Sequence, residues 1–227
     1  DVGAQRGAPS YPAPLTPREG SEMSAVSEVS EVSGRWSLSC ARLPYLRDHC
    51  FFRQPPEWSD LSDRFPVVPM TLSIQWAMEC AQQLADQTHT ADDGLHNELR
   101  VISVCDVRAA KWIELEPACE VEVSARMRAP HEAHHEAHVE VEIKGHLTTR
   151  AELSSTPPTP PEIAWAPLEG EVEPPISASA VYDDRWMFHG PAYQGIDALI
   201  GIAPRGIRGV IRQDGTPGAL LDNVGQL

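Results

Sequence analysis

Two ionisable residues, His49 and Asp222, carry the chemistry this sequence most clearly offers. His49 closes Tyr45-Leu46-Arg47-Asp48-His49, and Asp222 lies in Leu220-Leu221-Asp222-Asn223, so a base and an acid come from opposite ends of the chain. A neutral imidazole, with an ordinary pKa near ~6.5, takes up a weakly acidic proton at neutral pH. A carboxyl group buried in an apolar pocket stays protonated, because desolvation disfavours its charged form, and it can then protonate a leaving hydroxyl. Such a pair, aimed at adjacent atoms, suits the elimination of water. Gln226 follows Asp222 by one helical turn, where its carboxamide can orient the carboxyl. An Asp before a helix is also a common N-cap, and that reading stands beside the catalytic one.

A second constellation, His131-Glu132-Ala133-His134-His135, has the H-E-x-x-H spacing that sets two zinc ligands on one helix face. Pro130 precedes it and a strand pattern starts at His138, leaving about two helical turns at most. It reads as a solvated loop with incidental metal affinity. A zinc hydrolase through His131 and His135 is the most distant of three functional readings. The glycines between Gly201 and Gly209 miss the G-x-G-x-x-G spacing and lack the strand–helix context of a nucleotide site.

The elements that must position His49 and Asp222 follow from periodicity. Residues 1–34 are rich in Ser, Pro, Gly, Ala and Glu and read as a disordered linker. Trp36 to Cys40 alternate as a half-buried strand does. From Pro69, apolar residues recur at helical spacing (Leu72, Trp76, Cys80, with Ala77, Ala81 and Leu84), with proline in the first turn, where its missing N–H does no harm. Val101 to Val107, Lys111 to Leu115, Cys119 to Met127 and His138 to Leu147 then read as strands. Prolines crowd residues 154–175, a stiffer linker. A short strand at Ile176 to Ala180, strand-like residues through Ile211 and the start of a buried helix at Leu220 complete the pattern. The hydrophobic content of 41% suffices for a real core, and the net charge of −15 opposes binding to nucleic acid or an anionic membrane. Five cysteines without C-x-x-C spacing indicate neither a disulfide framework nor a cysteine zinc site. With no signal peptide or membrane-length apolar run, the chain reads as cytoplasmic.

In this order the motifs resemble the dehydratase domain of polyketide synthases and multifunctional fatty acid synthases. The resemblance covers roughly residues 36–227. It rests on Asp48-His49 with Val67-Val68-Pro69 downstream, on Phe188-His189-Gly190-Pro191-Ala192-Tyr193, and on Asp222-x-x-x-Gln226. The family's glycine four residues after the histidine is Arg53 here, and residues 54–61 read as an insertion before Pro69. The resemblance implies an α+β double hot-dog fold, an antiparallel sheet wrapped around a central helix, twice over. Residues 35–153 would form the N-terminal hot-dog and 176–227 the incomplete start of the second, truncated at its C-terminus. It also implies dehydration of a 3-hydroxyacyl thioester to a 2-enoyl thioester, with His49 as base and Asp222 as acid. Pro69, His189, Gly190, Pro191, Tyr193 and Gln226 would line the substrate channel. No metal or redox cofactor is implied, since the substrate arrives on the phosphopantetheine arm of an acyl carrier protein. That carrier and the other domains of the same synthase are the implied partners, with a homodimer as a further option. The second functional reading is a non-catalytic hot-dog module that serves as a structural or docking element.

Overall fold

The computed structural model describes residues 16–17, 31–52, 59–88, 99–128, 137–156, 158–160, 162, 166–213 and 215–227. In chain order the first unit runs β1 (Thr16–Pro17), β2 (Glu31–Leu38), β3 (Val67–Val68), α1 (Met70–Thr88), β4 (Arg100–Ala109), β5 (Ile113–Glu114), β6 (Cys119–Arg128), β7 (His138–Ile143) and β8 (Leu147–Ser154). Six of the strands form an antiparallel sheet in the order β1-β2-β6-β7-β8-β4, and β3 pairs with β5 apart from it. The sheet curls around α1, whose Leu72, Trp76, Ala77, Cys80, Ala81, Leu84 and Ala85 are buried. Those side chains meet the inward set of the strands, including Val121, Val123, Val139, Val141, Ile143 and Leu153. Trp76 packs edge-on against Trp36 of β2, ring centroids 5.5 Å apart. This is a hot-dog unit, and its periods of 3.6 and 2 are those read from the sequence.

The second unit contains α2 (Ala178–Asp183), the antiparallel hairpin β9 (Ile196–Ala203) and β10 (Gly206–Ile211), and α3 (Ala219–Gln226). It repeats the hot-dog arrangement in part, with α3 set against the hairpin. No helix among the described residues is long and apolar enough to cross a membrane.

Several boundaries differ from those read in the sequence. β2 begins at Glu31, so residues 31–34 belong to the sheet and not to the N-terminal linker; Glu31 itself pairs with Arg126 of β6. The run from His138 to Leu147 is a hairpin, because Gly145 takes a left-handed conformation (φ +76°) and turns the chain. Ile176 to Ala180 alternate like a strand, yet Ser177 accepts a hydrogen bond from Ala180 N and caps α2 instead. The end of the proline-rich segment does more than space the units: Val172 bridges to Ile202 of β9 and Glu171 forms a bidentate pair with Arg208 of β10. The segment before His49 is a tight 3-10 turn over Pro44–Asp48.

The two units meet at the N-terminus of α1. Gly218, at φ +75°, starts α3 against the first turn of α1; a Cβ there would sit 2.8 Å from Leu72 Cα. Its N–H donates to Gln75 Oε1 at 2.6 Å. Gly145 shares the positive φ, but a Cβ placed on it would meet nothing within 4 Å. Alanine at Gly145 is therefore expected to cost only the left-handed backbone penalty, about 1–2 kcal/mol. Alanine at Gly218 adds an overpacking cost of about 1–3 kcal/mol. Urea denaturation of the two variants checks this, and equal losses would show that the close approach to α1 carries no strain.

Candidate active site

His49 leaves the Pro44–Asp48 turn and is locked on both sides. Its backbone N–H donates to Leu46 O (3.1 Å) and its carbonyl accepts from Val67 N (3.1 Å). Its ring Nδ1 lies 3.0 Å from Val67 O. A carbonyl only accepts, so Nδ1 carries the hydrogen and Nε2 keeps its lone pair. The ring is 3% exposed. Phe188, His189 and Tyr193 surround it at centroid distances of 5.1, 5.2 and 5.4 Å, with Trp112 at 6.4 Å. Burial in this apolar box pushes its pKa down to about 4, against smaller opposing effects that include the Asp222 charge. His49 is thus neutral at neutral pH and a weaker base than a solvated histidine.

Asp222 lies inside α3, and Gly218 holds the N-cap position, which removes the capping reading. Its Oδ2 receives Gln226 Nε2 at 2.8 Å, the i to i+4 contact the spacing predicts, and sits 3.1 Å from His189 Nε2. Its Oδ1 accepts from Thr71 Oγ1 of α1 at 3.3 Å. Gln226 also donates to Tyr193 O (3.1 Å) and accepts from the Tyr182 hydroxyl (2.9 Å), which itself accepts from Ile196 N (3.1 Å). The sequence suggests that burial keeps Asp222 protonated; the structure corrects this. Burial does push the carboxyl up and is the largest single influence. The hydrogen bonds from His189 and Gln226, together with the charges of His189 and His49, outweigh it and leave the pKa below the ordinary value.

The Gly190-Pro191 motif brings His189 to this point. Gly190 N donates to Asp48 O (2.7 Å), Ala192 N donates to Asp48 Oδ2 (2.9 Å), and a Cβ on Gly190 would sit 2.6 Å from Asp48 Oδ1. Only glycine allows that approach. Pro191 opens a 3-10 turn that ends at Tyr193, whose ring is fully buried and whose hydroxyl donates to Pro217 O at 3.3 Å. Phe188 stacks on His189 at 4.1 Å. Pro69 is buried behind the site, and its carbonyl accepts from Ser73 N (3.1 Å) in the first turn of α1. His49, His189 and Asp222 therefore converge: one donor atom from each lies within 4.8 Å of the others. His131, His134, His135 and Arg53 lie outside the described residues. Thr71 and Tyr182 complete the site without having been singled out in the sequence, as does Asp48, which the sequence marks only as the neighbour of His49 in its motif. Their contacts join segments far apart in the chain, and no local spacing signals them.

No protein-family model matches the sequence, and no curated protein matches it. Solved structures do share its fold. The dehydratase domain of a mycocerosic acid synthase-like polyketide synthase aligns with a TM-score of 0.56 and 17% identity over 93% of this chain and 68% of that one. The dehydratase domain from the CurK module of the curacin polyketide synthase gives 0.57 and 15% over 90% and 70%. The erythromycin dehydratase gives 0.52 and 14% over 86% and 68%. The chain therefore has the double hot-dog fold of polyketide synthase dehydratase domains, with the second hot-dog incomplete, over about two thirds of their length.

Two measurements test this local physics. Because the folded pKa of His49 is depressed, the unfolded chain binds the extra proton first as pH falls. Stability is then full above about pH 6.5 and declines down to about pH 4, by about 3 kcal/mol. His49→Gln is expected to flatten that part of the stability–pH curve, and an unchanged curve would refute the assignment. Tyr182→Phe strands Gln226 Oε1 and Ile196 N–H, and is expected to cost about 1–3 kcal/mol in chemical denaturation. A neutral effect would mean that water replaces the hydroxyl.

Proposed function

We propose that this site removes water from a 3-hydroxyacyl thioester carried on the phosphopantetheine arm of an acyl carrier protein, giving a 2-enoyl thioester, as part of a polyketide- or fatty acid-type synthase. The observation that carries the reading is the convergence of His49 and Asp222, from opposite ends of the chain, on one buried point. His49 Nε2 takes the proton from the carbon next to the thioester. The C–H electron pair forms the new double bond, and the β-carbon–oxygen bond breaks. The departing hydroxyl takes a proton from the His189–Asp222 pair and leaves as water. Since hydrogen bonds hold Asp222 ionised, the form that donates carries one extra proton on that pair, shared between imidazole and carboxylate. The N–H groups of α1 ahead of Ser73 have no carbonyl four residues back in the helix, and they meet the charge that builds on the thioester oxygen.

One cavity opens at His189, and a second lies beside Trp112, whose ring is 6.4 Å from that of His49. One, of about 490 Å³, is lined by His189, Phe188 and the polar Arg47, Asp48, Arg64 and Arg185, and suits the polar arm. The other, of about 380 Å³, is lined by Val68, Met70, Trp112 and Ile113, and suits an acyl chain. His189, Gly190, Pro191, Tyr193, Gln226 and Pro69 act here by shaping and orienting the site between them.

A 3-hydroxyacyl thioester on a carrier protein or pantetheine mimic, followed by enoyl absorbance, tests the proposal. His49→Ala and Asp222→Asn are each expected to lower kcat by about 10²–10⁴-fold. An unchanged rate in His49→Ala would remove it from the base role. A wild-type chain that binds carrier but turns nothing over would make the fold a docking module.

A further inference from the structure

His189 adds a second imidazole to the base–carboxylate pair, and two imidazoles with one carboxylate form a donor set of a different kind. We propose that His49, His189 and Asp222 form a binding site for a zinc-like divalent cation, and that the bound ion blocks dehydration. The metal site stands on its own geometry, whereas the block of dehydration rests on the reading above.

Geometry supports it first. Ligands about 2.0–2.2 Å from one tetrahedral zinc lie about 3.3 Å from each other. His189 Nε2 and Asp222 Oδ2 are already 3.1 Å apart, and the His49 donor atom completes a set within 4.8 Å.

The surrounding hydrogen bonds support it next. Metal-bound histidines commonly donate their other ring N–H to a carbonyl, which fixes the ligating tautomer. His49 Nδ1 makes this contact with Val67 O, leaving Nε2 to ligate. Thr71 and Gln226 hold the carboxylate in the way that outer-shell partners hold a ligating one. His189 Nδ1 is buried without a hydrogen bond among the described residues. Ligation through Nε2 replaces the bond to Asp222 and moves the ring proton to Nδ1, where a water has to accept it.

Charge supports it third. The hydrogen-bond and ion-pair partners of Asp222 are Thr71, His189 and Gln226, none of which carries a fixed positive charge. A divalent ion would offset the buried carboxylate. Nitrogen donors in the majority favour zinc, cobalt or nickel over magnesium and calcium, which prefer all-oxygen sites. Bound there, the ion occupies the lone pair that His49 needs as a base.

The test uses the full chain with His131, His134 and His135 replaced by alanine, so that these imidazoles do not compete. After chelation, zinc is titrated by calorimetry and the retained metal counted. One tightly held zinc per chain is expected, with magnesium not binding. His189→Phe and Asp222→Asn are each expected to weaken zinc at least about 10–100-fold. Since a variant can lose its fold, X-ray absorption of zinc on the otherwise native chain gives a second reading: nitrogen and oxygen neighbours are expected. Sulfur neighbours, no bound zinc, or equal affinity in folded His189→Phe would overturn the proposal. Turnover in chelator with zinc bound nowhere refutes this inference alone. Zinc bound at the trio without turnover under any condition refutes the dehydration reading alone.

Discussion

The hydrogen bonds on the Asp222 carboxylate hold both the site and the junction between the two units. α3 has eight residues, too short to be stable alone. Its large apolar side chains Leu220, Leu221 and Val224 are 45–56% exposed, while its buried residues are Ala219, Asn223 and Gln226. Hydrophobic burial therefore does little to seat this helix on the first unit. Polar contacts do it instead: Thr71 to Asp222 and Gly218 N to Gln75 cross to α1, while His189 to Asp222, Tyr182 to Gln226, Gln226 to Tyr193 O and Gly195 N to Asn223 Oδ1 hold α3 to its own unit. Buried polar groups are costly unless paired, so the seam tolerates few arrangements. The groups that fix the docking of α3 are also the groups that aim the carboxylate.

The same network decides the electrostatics. Desolvation acts on His49 and Asp222 alike, disfavouring the charged form of each. His49 has one carbonyl partner and yields to it, becoming neutral. Asp222 has donors on both oxygens and resists it, staying ionised. Two titratable groups at one point are driven apart in charge because burial dominates at His49, while hydrogen-bond donors and nearby imidazoles outweigh it at the less buried Asp222.

That contrast marks where the sequence was legible. The period of 3.6 in Leu72, Trp76 and Cys80 and the alternation of β7 report burial directly, so α1 and its sheet could be read. Asp222 and Gln226 stand one turn apart, so their contact could be read as well. The protonation of Asp222 could not: it depends on His189 and His49, which reach it from other segments. Ile176 to Ala180 alternates by accident, and only the hydrogen bond to Ser177 turns it into a helix. The turn before His49 is too short to carry a period of its own.

Identities of 14–17% over this fold mean that most side chains are free to vary while the backbone is kept. The positions that are not free here are those where two backbones touch. A side chain on Gly190 would drive its segment off Asp48, and one on Gly218 would drive α3 off Leu72. Either shift would displace His189 or Asp222 from its partner. Proton transfer and metal ligation both depend on that 3.1 Å separation far more steeply than the sheet depends on any one core residue. Gly190 and Gly218 thus help to hold the site without taking part in its chemistry.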